Sequence, residues 1–446
     1  MSTRTSVNDV AAARIGVGGQ SLWAADADHA DRLLKRAIGA LEIWLCNQSC
    51  KDGNGRLRSG KVAGSSGFPF GVVTRYYLGV GRAAVDEHLL AVLHRLRRWV
   101  IAADYRSQRD WRLLAQWLPS TVDQKTGDYH SYMMASLLND VIRGAADPDR
   151  LMTELVTGLA ADLVRAELGP VRAGRVDGRQ QQRLQASLLM LMSAGRLAQP
   201  RLAGQAGPLT GGRIRLLGMT GTAELAEDSA ARLFDHLSAR VKTTVERSML
   251  PVTTEHDEYS FIRTLQIFET LYRQVRRRLA NARDALLRVD AGLASAEVSQ
   301  ALARLALSPA LYRVITTLSP ESFAVIRQHT VGRSAIQSRA YRQIEFLCAA
   351  RDARTLAPQV PRVDTGGLTV EDAFLAASPR LAPSETWLLV KNLQELDAVW
   401  RAMKRTHWGI TLKIIGTVPG TGGTTGAEYL KATAEVPLFP RLCNRR

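Results

Sequence analysis

The chain has 446 residues, enough for about two or three domains. With 46% hydrophobic and 23% charged residues, its composition is that of an ordinary globular protein that needs no disulfides to hold a core. Lysine and arginine together number 59, against 42 aspartates and glutamates, for a net charge of +17. The basic residues are scattered among acidic ones and form no long block, so we expect no nucleic-acid partner.

The four cysteines are too few and too scattered for a disulfide framework. Cys46 and Cys50 have no second ligand pair at the spacing of a zinc site, so reduced thiols are expected. The N-terminus has no apolar stretch flanked by basic residues, and no apolar run is long enough to cross a bilayer. We therefore expect a cytoplasmic protein with no membrane partner.

Helical periodicity begins near Asp28, where apolar residues start to recur at three- and four-residue spacing. A stretch rich in glycine, serine and lysine, residues 51–67, predicts a loop before the pattern returns. The glycine- and proline-rich residues 199–221 predict a linker. Between these loops, helices are predicted over residues 85–102, 111–117, 130–142, 150–168 and 180–197.

The second half of the chain also has helical patterns, and strand-type alternation is nearly absent throughout. The fold class predicted for the whole chain is therefore all-α. We expect a helical N-terminal domain of unassigned role at residues 1–200, a linker at 201–222 and a helical-bundle domain at 223–446. Helices of this second domain are predicted over residues 224–248, 259–289, 295–317, 320–328 and 384–415, with another starting near 338.

A histidine lies on a mostly apolar face of the last long predicted helix. His407 shares that face with Trp400, Met403, Ile410 and Ile414, at helical offsets of three, four and seven residues. A neutral imidazole in such surroundings suits an axial haem ligand. A histidine packed in the core has the same pattern, so spacing alone leaves both interpretations open.

Two further segments offer groups that bind a zwitterion or an anion. The glycine-rich residues 419–426 present backbone N–H groups and hydroxyls just before a predicted helix start at Ala427. Arg327 ends an apolar stretch, residues 323–326, and its planar guanidinium suits a substrate carboxylate. A flexible turn and a surface arginine are the alternative interpretations.

His256 and the two acidic residues after it resemble a metal triad only superficially. His256, Asp257 and Glu258 are consecutive, so their side chains cannot converge on one ion from a helix. Capping and charge stabilisation of the helix that follows are predicted instead.

Taken together, several segments of the second half resemble the tryptophan 2,3-dioxygenase superfamily, which includes haem-dependent tyrosine hydroxylases. The resemblance covers residues 252–440, under half of the chain. The segments are His-Asp-Glu-Tyr-Ser-Phe-Ile at 256–262, Leu-Ser-Pro at 318–320, Ser-Ala-Ile-Gln-Ser at 334–338, and Trp400, His407 and Gly-Thr-Gly-Gly-Thr-Thr-Gly at 420–426.

The resemblance implies roles for individual residues. It makes His407 the proximal iron ligand of a haem b and places Trp400, Gly420 and Gly422 beside that cofactor. Arg327 matches the arginine that holds the substrate carboxylate, and Thr421 the threonine beside the substrate ammonium group. Phe261 matches an aromatic wall over the haem. Family members also cover their pocket with a neighbour's N-terminal segment, so a homo-oligomer is expected.

The sequence departs from the dioxygenase pattern in the substrate pocket. Leu265 stands where the dioxygenases have a distal histidine, and Phe323 where they have a tyrosine. These departures make the chain closer to the tyrosine-hydroxylase branch, which suggests His256 as a candidate catalytic group. Thr411 stands where some hydroxylases have a cysteine, so the haem is expected to be bound non-covalently.

The resemblance therefore implies a haem oxygenase that uses O₂ or hydrogen peroxide to oxidise an aromatic L-amino acid. Because Leu265 offers no hydrogen bond, ring hydroxylation in a specialised biosynthetic pathway is the leading expectation. The alternatives are tryptophan 2,3-dioxygenation to N-formylkynurenine and a non-catalytic haem sensor. The carboxylate-binding arginine argues against a sensor, which does not need to hold a zwitterion.

Overall fold

A computed structural model describes most of the chain, and every regular element in the described ranges is helical, which confirms the all-α class. None of the described helices is long and apolar enough to cross a membrane. The described residues are 23–48, 67–102, 109–123, 128–174, 176–198, 212, 214, 217–330, 335–351, 367–420 and 423–443.

The helices are labelled in chain order. The first group comprises α1 (Ala27–Gln48), α2 (Phe70–Val80), α3 (Glu87–Ala102), α4 (Arg109–Thr121), α5 (Tyr129–Tyr132), α6 (Ala135–Asp140), α7 (Pro148–Arg172) and α8 (Gly178–Ala198). The second comprises α9 (Gly218–Asp235), α10 (Ala239–Arg247), α11 (His256–Leu287), α12 (Ala291–Leu305), α13 (Ser308–Ile315), α14 (Pro320–His329), α15 (Arg339–Cys348), α16 (Val370–Ala377), α17 (Pro383–Ile415), α18 (Ala427–Ala434) and α19 (Pro440–Cys443).

Helices α1 to α4 enclose a core rich in aromatic rings. Trp44 packs edge-on against Phe68 and Trp111, with ring centroids 5.1 and 5.9 Å apart. Phe70 and Trp117 continue the cluster at 5.2 Å. Edge-to-face pairs of this kind add to the free energy gained by burying the rings.

A larger core takes residues from both sides of the predicted linker. Helix α7 packs against α8, α9 and α11, and α8 also packs against α13. Leu159 and Leu188 from the first half are buried together with Val275 and Leu396 from the second. Residues 199–211, 213, 215 and 216 lie outside the described part, and the division of the chain at 201–222 stays a prediction.

Several predicted helices are divided or displaced in the structure. The helix predicted over 295–317 is broken into α12 and α13, because Pro309 stands in the first turn of α13 and cannot continue a hydrogen-bond ladder. The helix predicted over 130–142 is broken at Met134, whose φ is +54°. Helix α2 is not predicted by periodicity, since its run of apolar residues is nearly continuous.

The helix predicted over 224–248 is also divided in the structure. It is divided into α9 and α10 at residues 236–238, where the backbone N–H of Ser238 donates to Glu154 of α7, 3.1 Å away. The long helix α17 begins at Pro383 in its first turn and ends at Gly416, whose φ of +62° stops it.

Candidate functional site

His407 lies near the end of α17 in partly buried, aromatic surroundings. Its ring is stacked on that of Tyr312, with centroids 6.2 Å apart and an interplanar angle of 30°. Its ring nitrogens form no hydrogen bond with any described residue. Desolvation lowers the pKa of His407 to about 4, so the imidazole is neutral at pH 7 with a lone pair on one nitrogen.

The aromatic ring beside His407 begins a continuous cluster in the core. Tyr312 contacts Phe268 at 5.0 Å, and Phe268 is stacked on Tyr272 at 5.8 Å. Tyr341 is stacked on Trp400 at 4.7 Å, and both contact Tyr272. Trp400 is fully buried, and its indole N–H has no partner in the described part of the chain. The sequence analysis found Trp400 but missed the tyrosines, which come from three other helices.

A buried ion network ties α17 to its neighbours one turn before His407. Lys404 lies 3.1 Å from Glu345 of α15, and Arg342 lies 2.7 Å from the same carboxylate. Arg342 also donates to the hydroxyl of Tyr429 on α18, at 2.8 Å. This network fixes the histidine-bearing helix relative to the helix that follows the glycine-rich loop.

The glycine-rich loop between α17 and α18 turns tightly. The backbone N–H of Gly420 donates to the carbonyl of Thr424 at 2.9 Å, and a Cβ on Gly420 would lie 2.6 Å from the Thr424 hydroxyl. Gly426 has φ +68°, and a Cβ there would lie 2.5 Å from the Val418 carbonyl. The position of Gly426 therefore requires glycine, whereas a Cβ on Gly420 would require the Thr424 side chain to rotate away. The predicted Thr421 and Gly422 lie outside the described residues.

The predicted carboxylate-binding arginine lies between α14 and this loop. Nη2 of Arg327 donates to the Pro419 carbonyl at 2.7 Å. The arginine lines an open cavity of about 400 Å³ together with Phe323, Ile414 and Ile415. The remaining lining residues are Pro320, Ala324, Gln328 and Val418, so Arg327 is the only cationic group in the lining that the structure describes.

Phe261 and Leu265 lie on consecutive turns of α11, as their spacing requires. The ring of Phe261 packs edge-on against Phe323, 5.4 Å away. Leu265 is buried in an apolar cluster that includes Ile262 of α11 and Met133 of the first half. At the position that the resemblance assigns to the distal histidine, the chain therefore has a buried apolar side chain that offers no hydrogen bond.

His256 begins α11 and is held by residues from the first half. Its Nε2 lies 3.2 Å from Oε1 of Glu167, and its Nδ1 has no partner in the described ranges. Arg183 of α8 forms an ion pair with Asp257 at 2.7 Å and lies 3.8 Å from Glu167. The sequence analysis missed Glu167 and Arg183, since both lie outside the segments that carry the resemblance.

The predicted capping role of the acidic pair is only partly right. Asp257 and Glu258 lie in the first turn of α11, where negative charge is favourable, but their side chains do not cap it. Asp257 accepts from the Ser319 backbone N–H at 2.7 Å. Glu258 accepts from the N–H groups of Val252 and Thr253. No group of three or more metal-ligating side chains is present in the described part of the chain.

The predicted residues therefore lie on three helices and one loop. His256, Phe261 and Leu265 are on α11, and Phe323 and Arg327 are on α14, which packs against both α11 and α17. His407 does not line the cavity that Arg327 lines. Ile414 and Ile415, in the last turn of α17, do line it, and His407 lies about two turns earlier on the same helix. The predicted residues thus form two neighbouring groups, one around Arg327 and one around His407.

No protein-family model matches the chain. It is 30% identical over 233 residues to a tryptophan 2,3-dioxygenase of Anaeromyxobacter dehalogenans, covering 43% of this chain and 87% of that protein. A tryptophan 2,3-dioxygenase of Anaeromyxobacter sp. (strain K) is 28% identical over 234 residues, with the same coverage. One of Burkholderia orbicola is 27% identical over 301 residues, covering 57% of this chain and 94% of the relative.

Proposed function

Because this chain belongs to the tryptophan 2,3-dioxygenase family, we propose that it is a haem-dependent oxidoreductase acting on an aromatic L-amino acid. The names of these relatives describe dioxygenation of tryptophan. For this chain, the finer proposal is insertion of a single oxygen into an aromatic ring.

The end of α17 has the chemistry that a haem iron requires. His407 has a neutral imidazole with ring nitrogens that bond to no described residue, and a neutral imidazole is the form that binds iron. We propose that His407 would ligate the iron of a non-covalent haem b, with Trp400, Gly420 and Gly422 beside it. When bound, the haem would supply the redox chemistry of oxygen insertion: hydrogen peroxide would give one oxygen to the ring and release water, and O₂ would do so only with a two-electron reductant.

Arg327 is proposed to bind the substrate carboxylate. Only Nη2 of its guanidinium has a partner among the described residues, so the other N–H groups remain for a ligand in the cavity. Thr421 is proposed to bind the ammonium group, on the family resemblance alone. The rings of Phe261 and Phe323 then form an apolar wall against which an aromatic side chain packs.

The observation that favours hydroxylation is the environment of Leu265. Leucine neither accepts a hydrogen bond from an indole N–H nor donates one to an oxidant. Its neighbours Phe261, Ile262 and Met133 are apolar as well, so they do not replace the missing imidazole. The tryptophan-dioxygenase alternative stays open because of the relatives' names. The homo-oligomer, the cytoplasmic location and the biosynthetic context stay predictions.

Product mass under labelled oxidant tests the proposal. The haem-loaded protein is incubated with tyrosine and with tryptophan, under ¹⁸O₂ with a chemical reductant and separately with ¹⁸O-labelled hydrogen peroxide. We expect a main product with one added oxygen. N-formylkynurenine with two labelled oxygens as the main product would establish the dioxygenase alternative instead. Haem binding without turnover of any aromatic amino acid would favour the sensor.

A further inference from the structure

The first half of the chain packs directly on the beginning of α11. Met133 and Ala166 are buried with Leu265 in one apolar cluster, and Trp23 lies over Tyr259 with ring centroids 4.8 Å apart. The hydroxyl of Tyr132 donates to Glu258 at 3.0 Å. The first half of the chain therefore packs against the helix that contributes Phe261 and Leu265 to the predicted substrate pocket.

Among these contacts, one joins two titratable side chains. Glu167 of α7 is almost fully buried, and its Oε1 lies 3.2 Å from Nε2 of His256, which is itself 6% exposed. Ser260 also donates its hydroxyl to Glu167. Burial alone would raise the pKa of Glu167, but the charge of Arg183 and the hydrogen bonds from His256 and Ser260 outweigh it and lower the pKa. Glu167 is thus a carboxylate, which can only accept.

An ionised carboxylate fixes which nitrogen of the imidazole is protonated. Since Glu167 accepts at Nε2, that nitrogen must hold a proton. Nδ1 then has the free lone pair, and it has no partner in the described part of the chain although it is buried.

We propose that Glu167 is a positioning residue for the reaction: it holds the proton of His256 on Nε2 and leaves Nδ1 as the nitrogen that exchanges a proton with the substrate. This inference rests on the proposed function, in which His256 serves the oxidation of an aromatic amino acid. It also assigns a role to the first half of the chain, which contributes the carboxylate.

The ring nitrogens of His256 report the pairing directly. Full-length protein is labelled with ¹⁵N in its histidine rings, and the His256→Asn variant identifies the His256 signals. We expect Nε2 to be protonated, with Nδ1 bare or exchanging. A neutral ring with its proton on Nδ1 in the unsubstituted protein would overturn the proposal, and this measurement needs no Glu167 variant that folds.

Substitution of Glu167 tests the consequence for the reaction. Glu167→Gln should mix the two tautomers of His256 and lower kcat by about 10- to 100-fold, the range for losing a group that orients a functional histidine, with little change in KM. Glu154→Gln is the matched control: it is a buried carboxylate on the same helix, paired with Arg150 and Ser238 rather than with His256.

The outcomes separate this inference from the proposed function. If Glu167→Gln leaves both the tautomer and kcat unchanged, the positioning role is wrong. If both glutamate variants lower kcat equally, the effect is structural and the inference also fails. If the unsubstituted protein shows the expected tautomer but oxidises no aromatic amino acid, the pairing stands and the proposed function fails.

Discussion

The two histidines of the candidate site differ in their hydrogen-bond partners. At the beginning of α11, His256 is hydrogen-bonded to a buried carboxylate and lies among charged groups from α7, α8 and its own helix. At the end of α17, His407 is stacked on Tyr312 and bonds to no described residue. His256 has a buried carboxylate partner, whereas desolvation lowers the pKa of His407 to about 4. The difference indicates a proton-exchanging role for the first histidine and a metal-binding role for the second.

The largest expected effect comes from removing the histidine that has no hydrogen-bond partner. His407→Ala should lose the haem or bind it loosely, because His407 is the only iron ligand that we propose. Haem content and the visible Soret band of the purified variant measure this. His256→Ala is the comparison and should retain its haem. If His407→Ala keeps full haem content and an unchanged spectrum, the roles assigned to the two histidines are wrong.

The second-largest effect is expected at Arg327, which lies between α14 and the glycine-rich loop. Arg327→Leu should weaken substrate binding by about 2–4 kcal/mol, the range for removing one partner of a partly desolvated charge pair. The apparent KM or Kd for tyrosine and tryptophan measures it. Gln328→Leu, which changes another residue lining the same cavity, is the control and should bind nearly normally. Near-normal binding by Arg327→Leu would make Arg327 a surface arginine that only holds Pro419.

A smaller effect is expected at the glycine-rich loop. Gly426 and Gly416 both have positive φ, at +68° and +62°, but only at Gly426 would a Cβ meet a neighbouring carbonyl. Gly416→Ala should cost only the conformational strain of about 1–3 kcal/mol, and Gly426→Ala should cost more because the backbone must also shift. Thermal unfolding of the two variants measures the difference. Equal losses of stability in the two variants would show that the Val418 carbonyl moves away from a Cβ at Gly426 at no measurable cost in free energy.

The sequence predicts contacts within a helix better than contacts between helices. Phe261 and Leu265 are one turn apart, as are Phe323 and Arg327, so periodicity alone places each pair on one face. The break at Pro309 was visible in the sequence as well, although the single helix predicted there ignored it. The left-handed backbone at Met134 was not, because a methionine gives no signal for it.

The partners of the two histidines could not be predicted in this way. Glu167 lies 89 residues before His256, and no spacing rule connects positions on different helices at that separation. The Lys404–Glu345 ion pair could not be predicted for the same reason, since it forms only when α17 packs beside α15. Family resemblance supplied His407 and Arg327, but the segments that carry it lie within residues 252–440 and do not include Glu167, the carboxylate beside His256.

The smallest expected effect is a pH dependence of stability from the ion network beside His407. Burial alone would raise the pKa of Glu345, but Lys404 and Arg342 outweigh it and lower the pKa below the ordinary value of 4.5. A carboxyl whose pKa is lower in the folded state stabilises the fold above the unfolded-state pKa. That contribution is lost as the pH falls below about 4.5 and through the lowered folded-state pKa.

In Glu345→Gln this titration is absent. The difference in Tm between the unsubstituted protein and Glu345→Gln should therefore be constant from about pH 6 to 7 and narrow below about pH 4.5. Unfolding curves of the two haem-free proteins across this range measure it, and a Tm difference that does not change with pH would show that Glu345 is not held ionised by Lys404.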